Sequence, residues 1–230
     1  MNITTSAILR WSGLAAVAAG LIFAGIQPIH PPDVLASVTT SKWAIIISFK
    51  LAMCFLFLIG MTGLYARQMR RAGWLGAIGY VMLMLSWGLQ IGFVFTELFI
   101  LPPLASVAPA FIDSYLGVVN GFPGTLDIGA LVPTYTVLSV LYLFGGLLFG
   151  IATLRAGILP RWPAALLAVT ALLTPAAAFL PHDLQRIFAG MPMGVAVAWL
   201  GYELWAEGRK AARTAKVRLD VSDFIQSKIV

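Results

Sequence analysis

Two charged residues fall inside apolar runs of this chain: Lys50 in KWAIIISFKLAMCFLFLIGMTGLY and Glu97 in WLGAIGYVMLMLSWGLQIGFVFTELFIL. On helices of these lengths Lys50 lies ~12 Å below the outer end of its span and Glu97 ~6 Å below the outer end of the next. A lone charge near mid-membrane costs at least ~2.5 kcal/mol and normally faces a bundle interior or a cavity. Adjacent antiparallel helices would bring the two to similar depth, where each gains by pairing. The spacing therefore points to a Lys50/Glu97 polar floor beneath an outward-open cavity, with Gln90 deeper on the second helix as a hydrogen-bonding partner. The alternative is that Lys50 snorkels to the outer headgroups and Glu97 sits at the interface.

A second constellation is His30, Asp33, His182 and Asp183, all placed in outer loops at span ends. Two imidazoles with two carboxylates are a donor set for a divalent metal, and would make an outer-surface metalloenzyme. Against it, no single helix shows ligands at i and i+4, and nothing resembles HExxH or a cysteine pair. Solvated loop residues or helix caps account for the four more simply than a metal does. Asp113, Asp127 and Arg186 complete an outer rim whose slight acidity would favour cations or amines. With Lys50, Gln90 and Glu97 they form the candidate ligand-binding set.

The elements that must position these groups are membrane spans. Of 230 residues 60% are hydrophobic and only 10% charged, with mean hydropathy +0.92. A soluble domain carries about 25% charged residues, so a water-facing globule is excluded. Apolar runs of ~20 residues or more recur along the chain. They predict an all-α integral membrane protein, a six-transmembrane-helix bundle with spans at about 10–26, 42–66, 73–101, 133–155, 162–180 and 188–205. A basic tail, 207–230, follows. Between the third and fourth helices the long segment 102–132 reads as an outer lid. Within it Phe111, Tyr115, Leu116 and Val119 are expected to lie on the membrane surface as a short interfacial helix.

Both termini in the cytoplasm leave only Lys42 and Arg186 outside, with Lys50 in the membrane and every other basic residue inside. The opposite topology reverses that ratio, so the positive-inside rule sets the direction. The net charge of +6 is then a product of insertion and implies no nucleic acid. Small residues at helical spacing (Ser12, Ala16, Gly20, Ala24; Gly146 and Gly150; Gly190, Gly194 and Ala198) predict close helix packing, within the bundle or against a partner. The single Cys54 forms no intrachain disulfide. Trp11, Trp43, Trp74, Trp162 and Trp205 fall near predicted span ends, as interfacial anchors do.

No GxSxG, Walker or dinucleotide motif occurs, and two loop histidines exclude a haem held between helices. No cofactor is assigned. The phrases FGIATLRAGILPRWPAALLAVTALL and GLYARQMRRAGWLGAIGYVML resemble recurrent phrases of small, uncharacterised bacterial multi-helix membrane proteins, known as domains of unknown function. That resemblance implies a bacterial inner membrane. It implies no activity and carries no catalytic residue. The residues favour a non-enzymatic protein that binds or transports a small or lipid-like molecule, alone, as a homo-oligomer or with a transporter partner. The rival readings are the metalloenzyme and a membrane sensor or assembly factor acting through its basic tail.

Overall fold

The computed structural model describes residues 5–121, 124–177, 180 and 182–229, and among them every regular element is helical. Helix α1 is Thr5–Ile26. A single run of helical residues, Ser41–Phe95, is broken only at Gly73 (φ 58°, ψ −160°), a backbone conformation essentially reserved for glycine. The break reverses the chain. Tyr65 stacks on Tyr80, Phe57 stacks on Trp87, and the Trp43 indole reaches the Glu97 carbonyl. One partner's number rises as the other's falls, so the two arms, α2 (41–72) and α3 (74–95), are antiparallel. The arms run helically through Arg67, Arg70 and Arg71, which lie between the expected spans 42–66 and 73–101.

A five-residue π turn, Thr96–Ile100, and the short Leu101–Leu104 extend α3. Helix α4 is Pro109–Val119, α5 is Leu131–Ala156, α6 is Arg161–Ala177 and α7 is His182–Ile229. The long helices close into a ring: α1 on α2, the α2–α3 hairpin on α5, α5 on α6, α6 on α7, and α7 back on α1.

Small residues set the contacts of this ring, as expected where lipid tails offer helices no hydrophobic drive to associate. A Cβ added at Gly194 would sit 2.6 Å from the Gly20 carbonyl oxygen, and one at Gly13 2.8 Å from that of Gly201. Gly60 meets Ala16 and Gly150 meets Ala168 in the same way. The small-residue ridges are thus buried inside the bundle, not offered on its outer surface, and they carry no argument for a docked partner.

Among the described residues four helical segments are long and apolar enough to cross a membrane: Thr5–Ile29, Ser41–Leu104, Leu131–Ala156 and Ile187–Thr214. Large apolar side chains such as Leu21, Phe55, Ile59, Ile78, Leu85 and Phe144 face outward, as on a surface that lipid covers. Trp11, Trp74 and Trp162 are exposed near the end that carries Gly73. At that end Arg67 forks onto Glu207 (2.6–2.9 Å), tying α2 to α7.

Helix α4 corrects an expectation. Tyr115 and Leu116 are buried in the protein core and cannot lie on a membrane surface, while Phe111 is half-buried and Val119 faces a cavity. The apolar stripe of so short a helix suits a protein groove as well as a lipid interface, and here the groove takes it. Trp43 is likewise fully buried and anchors nothing at an interface.

Candidate functional site

Glu97 is positioned by the irregularity at the end of α3. Leu101 N–H donates to the Thr96 carbonyl across the π turn, so the next donor in register for the Glu97 carbonyl would be residue 102. That residue is proline and has no N–H. The Trp43 indole fills the gap, donating to Glu97 O at 3.0 Å. Backbone and side chain are thereby fixed together, because π turns of this kind re-aim the residues they contain. The Glu97 carboxylate, 1% exposed, turns toward α2 and accepts from Lys50 Nζ at 2.7 Å. Pairing is what makes either charge tolerable at this depth.

Lys50 lines a cavity of about 290 Å³ at the end of the ring away from Gly73. Glu97 is not itself among the lining residues and acts through the lysine it holds. His30, Asp33, Gln27 and Gln90 also line it. His30 Nδ1 lies 2.7 Å from the Pro31 carbonyl oxygen, which can only accept, so Nδ1 carries the hydrogen. Asp33 Oδ1 is 3.9 Å from the same nitrogen, and the His30 ring stands edge-on to Trp43.

The floor is aromatic. Phe57 and Trp87 stack with centroids 4.1 Å apart and planes 8° from parallel, and Phe23 meets both edge-on at 5.7 Å. Tyr142 closes on Trp87 from α5 at 6.0 Å. Phe57 lies seven residues, ~10 Å, further along α2 than Lys50. Lys50 therefore lines the side of the cavity, and Trp87, backed by Phe57, lies deeper, where the lysine was expected to be.

Helix α4 closes the outer side. Val119 lines the cavity, and the neighbouring Asn120 Nδ2 donates to the Asp33 carbonyl at 3.0 Å. Tyr115 donates its phenol to the Phe93 carbonyl at 2.9 Å. Burial first, and then the nearby Glu97 carboxylate, raise the Tyr115 pKa, so the phenol stays a neutral donor. Ser114 Oγ accepts from Leu126 N–H and pins the loop that follows.

Of the candidate ligand-binding set, Lys50, Gln90 and Glu97 come together. Asp113 and Asp127 are exposed and do not line the cavity; the Asp127 carboxylate accepts locally from Gly129 N–H. The side chain of Arg186 lies outside the described residues, as do those of His182 and Asp183. His30 and Asp33 do meet, but among the described residues no three His, Cys, Asp or Glu side chains gather as metal ligands. Composition and spacing missed Phe23, Tyr135, Tyr142 and above all Trp87, because an aromatic in mid-span reads as packing. The signal was Trp87's depth: an indole N–H far from either span end has no water to satisfy it.

No protein-family model matches this chain, and neither does any curated protein or solved structure.

Proposed function

We propose that the chain is a six-span protein of a bacterial inner membrane, with both termini cytoplasmic, that binds a small molecule in this cavity as a carrier or binding protein and does no chemistry on it. The positive-inside count and the inner-end tryptophans support the topology. In it α2 and α3 count as separate spans and α6 as a short one. The binding role rests on one observation: Lys50, held by Glu97 at 2.7 Å, lines a cavity. A bundle that needed only packing would do as well with two apolar residues there, since buried ion pairs rarely add net stability. A buried pair whose lysine faces a void is a means of recognition.

The volume refines the ligand. About 290 Å³ is at the small end of ligand pockets, which run ~300–1,000 Å³, and favours a compact molecule over a whole lipid. Segment 102–132 serves as the lid, with the Asn120–Asp33 and Tyr115–Phe93 hydrogen bonds as its latches.

Native mass spectrometry of protein purified in mild detergent tests the reading. Wild type should retain a small co-purifying mass, and the neutral pair Lys50→Met/Glu97→Gln, which leaves no charge stranded, should fold and lose it. Equal retention by the folded double variant would overturn the assignment of the pair to binding.

A further inference from the structure

Gln90 is a primary amide on the inward face of a membrane span. Along α3 and the π turn that extends it, the buried residues Leu83, Ser86, Trp87, Val94 and Glu97 fall three, four or seven positions from it. Gln90 shares their face. Val81, Leu85, Phe95 and Phe99, five or nine positions away, mark the opposite, exposed face. Gln90 itself is only half-buried, and the open space on its side of the helix is the cavity that it lines. Its carboxamide has no hydrogen-bond partner among the described residues. At this depth hydrocarbon supplies none, so the group has a use only for something that enters the cavity.

The other polar groups of the lining say what kind of molecule that is. Lys50 Nζ carries three hydrogens and gives one to Glu97 at 2.7 Å, which leaves donors for an acceptor in the cavity. The aliphatic hydroxyls are the reverse. Ser86, Ser139 and Thr174 donate to the carbonyls of Leu138, Tyr135 and Thr170 at 3.0, 2.9 and 3.0 Å, and offer the cavity only lone pairs. A molecule that suits this lining brings an acceptor for Lys50 and N–H or O–H donors for the hydroxyls. For Gln90 it brings both side by side, as a second carboxamide does. Charge is disfavoured. Lys50 is already neutralised by Glu97, and Asp33 adds another carboxylate against an anion. A cation would meet the remaining N–H groups of the lysine. Gln90 lies seven residues, ~10 Å, deeper than Glu97, among neutral groups that repay little of an ion's lost hydration.

We infer that the cavity takes a small, uncharged molecule of the carboxamide type, carrying a carbonyl oxygen and N–H donors on one group, and that Gln90 is the residue that reads this group. This rests on the reading of the cavity as a binding site and adds to it the chemical class of the ligand.

Three probes share one frame and differ in one group: isobutyramide, the ketone 3-methyl-2-butanone, which lacks the donors, and isobutyrate, which replaces them with a charge. Each is titrated into protein labelled with ¹⁵N at the glutamine side chains in lipid nanodiscs, with empty nanodiscs as reference. Isobutyramide should bind about tenfold more tightly than either of the others, the difference one buried hydrogen bond makes. It should also move the one side-chain amide signal pair that is missing in Gln90→Leu. That variant should bind amide and ketone alike. The wild-type comparison decides even if the variant does not fold. Equal affinity for amide and ketone, or tightest binding of isobutyrate, would overturn the carboxamide inference and leave the cavity reading standing. Saturable binding of none would also overturn the inference, and the cavity reading falls with it only if native mass spectrometry of wild type finds no retained mass.

Discussion

At the scale of single residues the molecule turns on charges and donors placed where water does not reach. Lys50→Met alone strands the Glu97 carboxylate, 1% exposed, and should cost about 3 kcal/mol of stability. Adding Glu97→Gln should recover most of that loss, which thermal unfolding of the two variants in the same detergent would show. A single variant as stable as wild type would mean that the pair is not a buried one. This pair was legible in the sequence because two opposite charges on consecutive apolar runs have few ways to be tolerated other than each other. Trp87 was not legible. Its surroundings depend on three rings, Phe57, Phe23 and Tyr142, that arrive from three helices. His30 and Asp33 were read as a metal half-site; in the structure they line the same cavity as Lys50.

At the scale of elements the reversal at Gly73 makes everything else possible, because it lays α3 against α2 in the register that joins Lys50 to Glu97 and Phe57 to Trp87. No neighbour crowds a Cβ built there, so Gly73→Ala isolates the backbone term. With φ at 58° and ψ at −160° the substitution should cost ~1–3 kcal/mol, read as a lower unfolding temperature with the fold retained. An unchanged temperature would show that the turn tolerates a side chain and is less constrained than described. The hairpin's existence was plain from two long apolar runs, but the expected spans stopped short of the arginines between them. Helical geometry persists there: Arg70 and Arg71 are exposed, and Arg67 is held by Glu207 of α7. Helix α4 was misread for a different physical reason. Amphipathicity reports that one face is buried, not whether lipid or protein buries it, and the Tyr115 hydrogen bond to the Phe93 carbonyl draws this face inward.

At the scale of the whole molecule the sequence specified the class, all-helical and apolar enough for a membrane, but not the ring. Ring closure depends on glycines meeting backbone on neighbouring helices, as Gly20 meets Gly194 and Gly150 meets Ala168. Spacing marks such glycines as packing residues without naming what they pack against. The consequence of closure is the cavity that His30, Lys50 and Trp87 line, proposed above to hold a small molecule. The most direct test is a crystal structure of the protein purified in mild detergent without added ligand. Compact non-protein density is expected inside the cavity beside Lys50, with Lys50 still on Glu97. A cavity closed by its own side chains, with the ion pair apart and no density beside Lys50, would contradict the proposal.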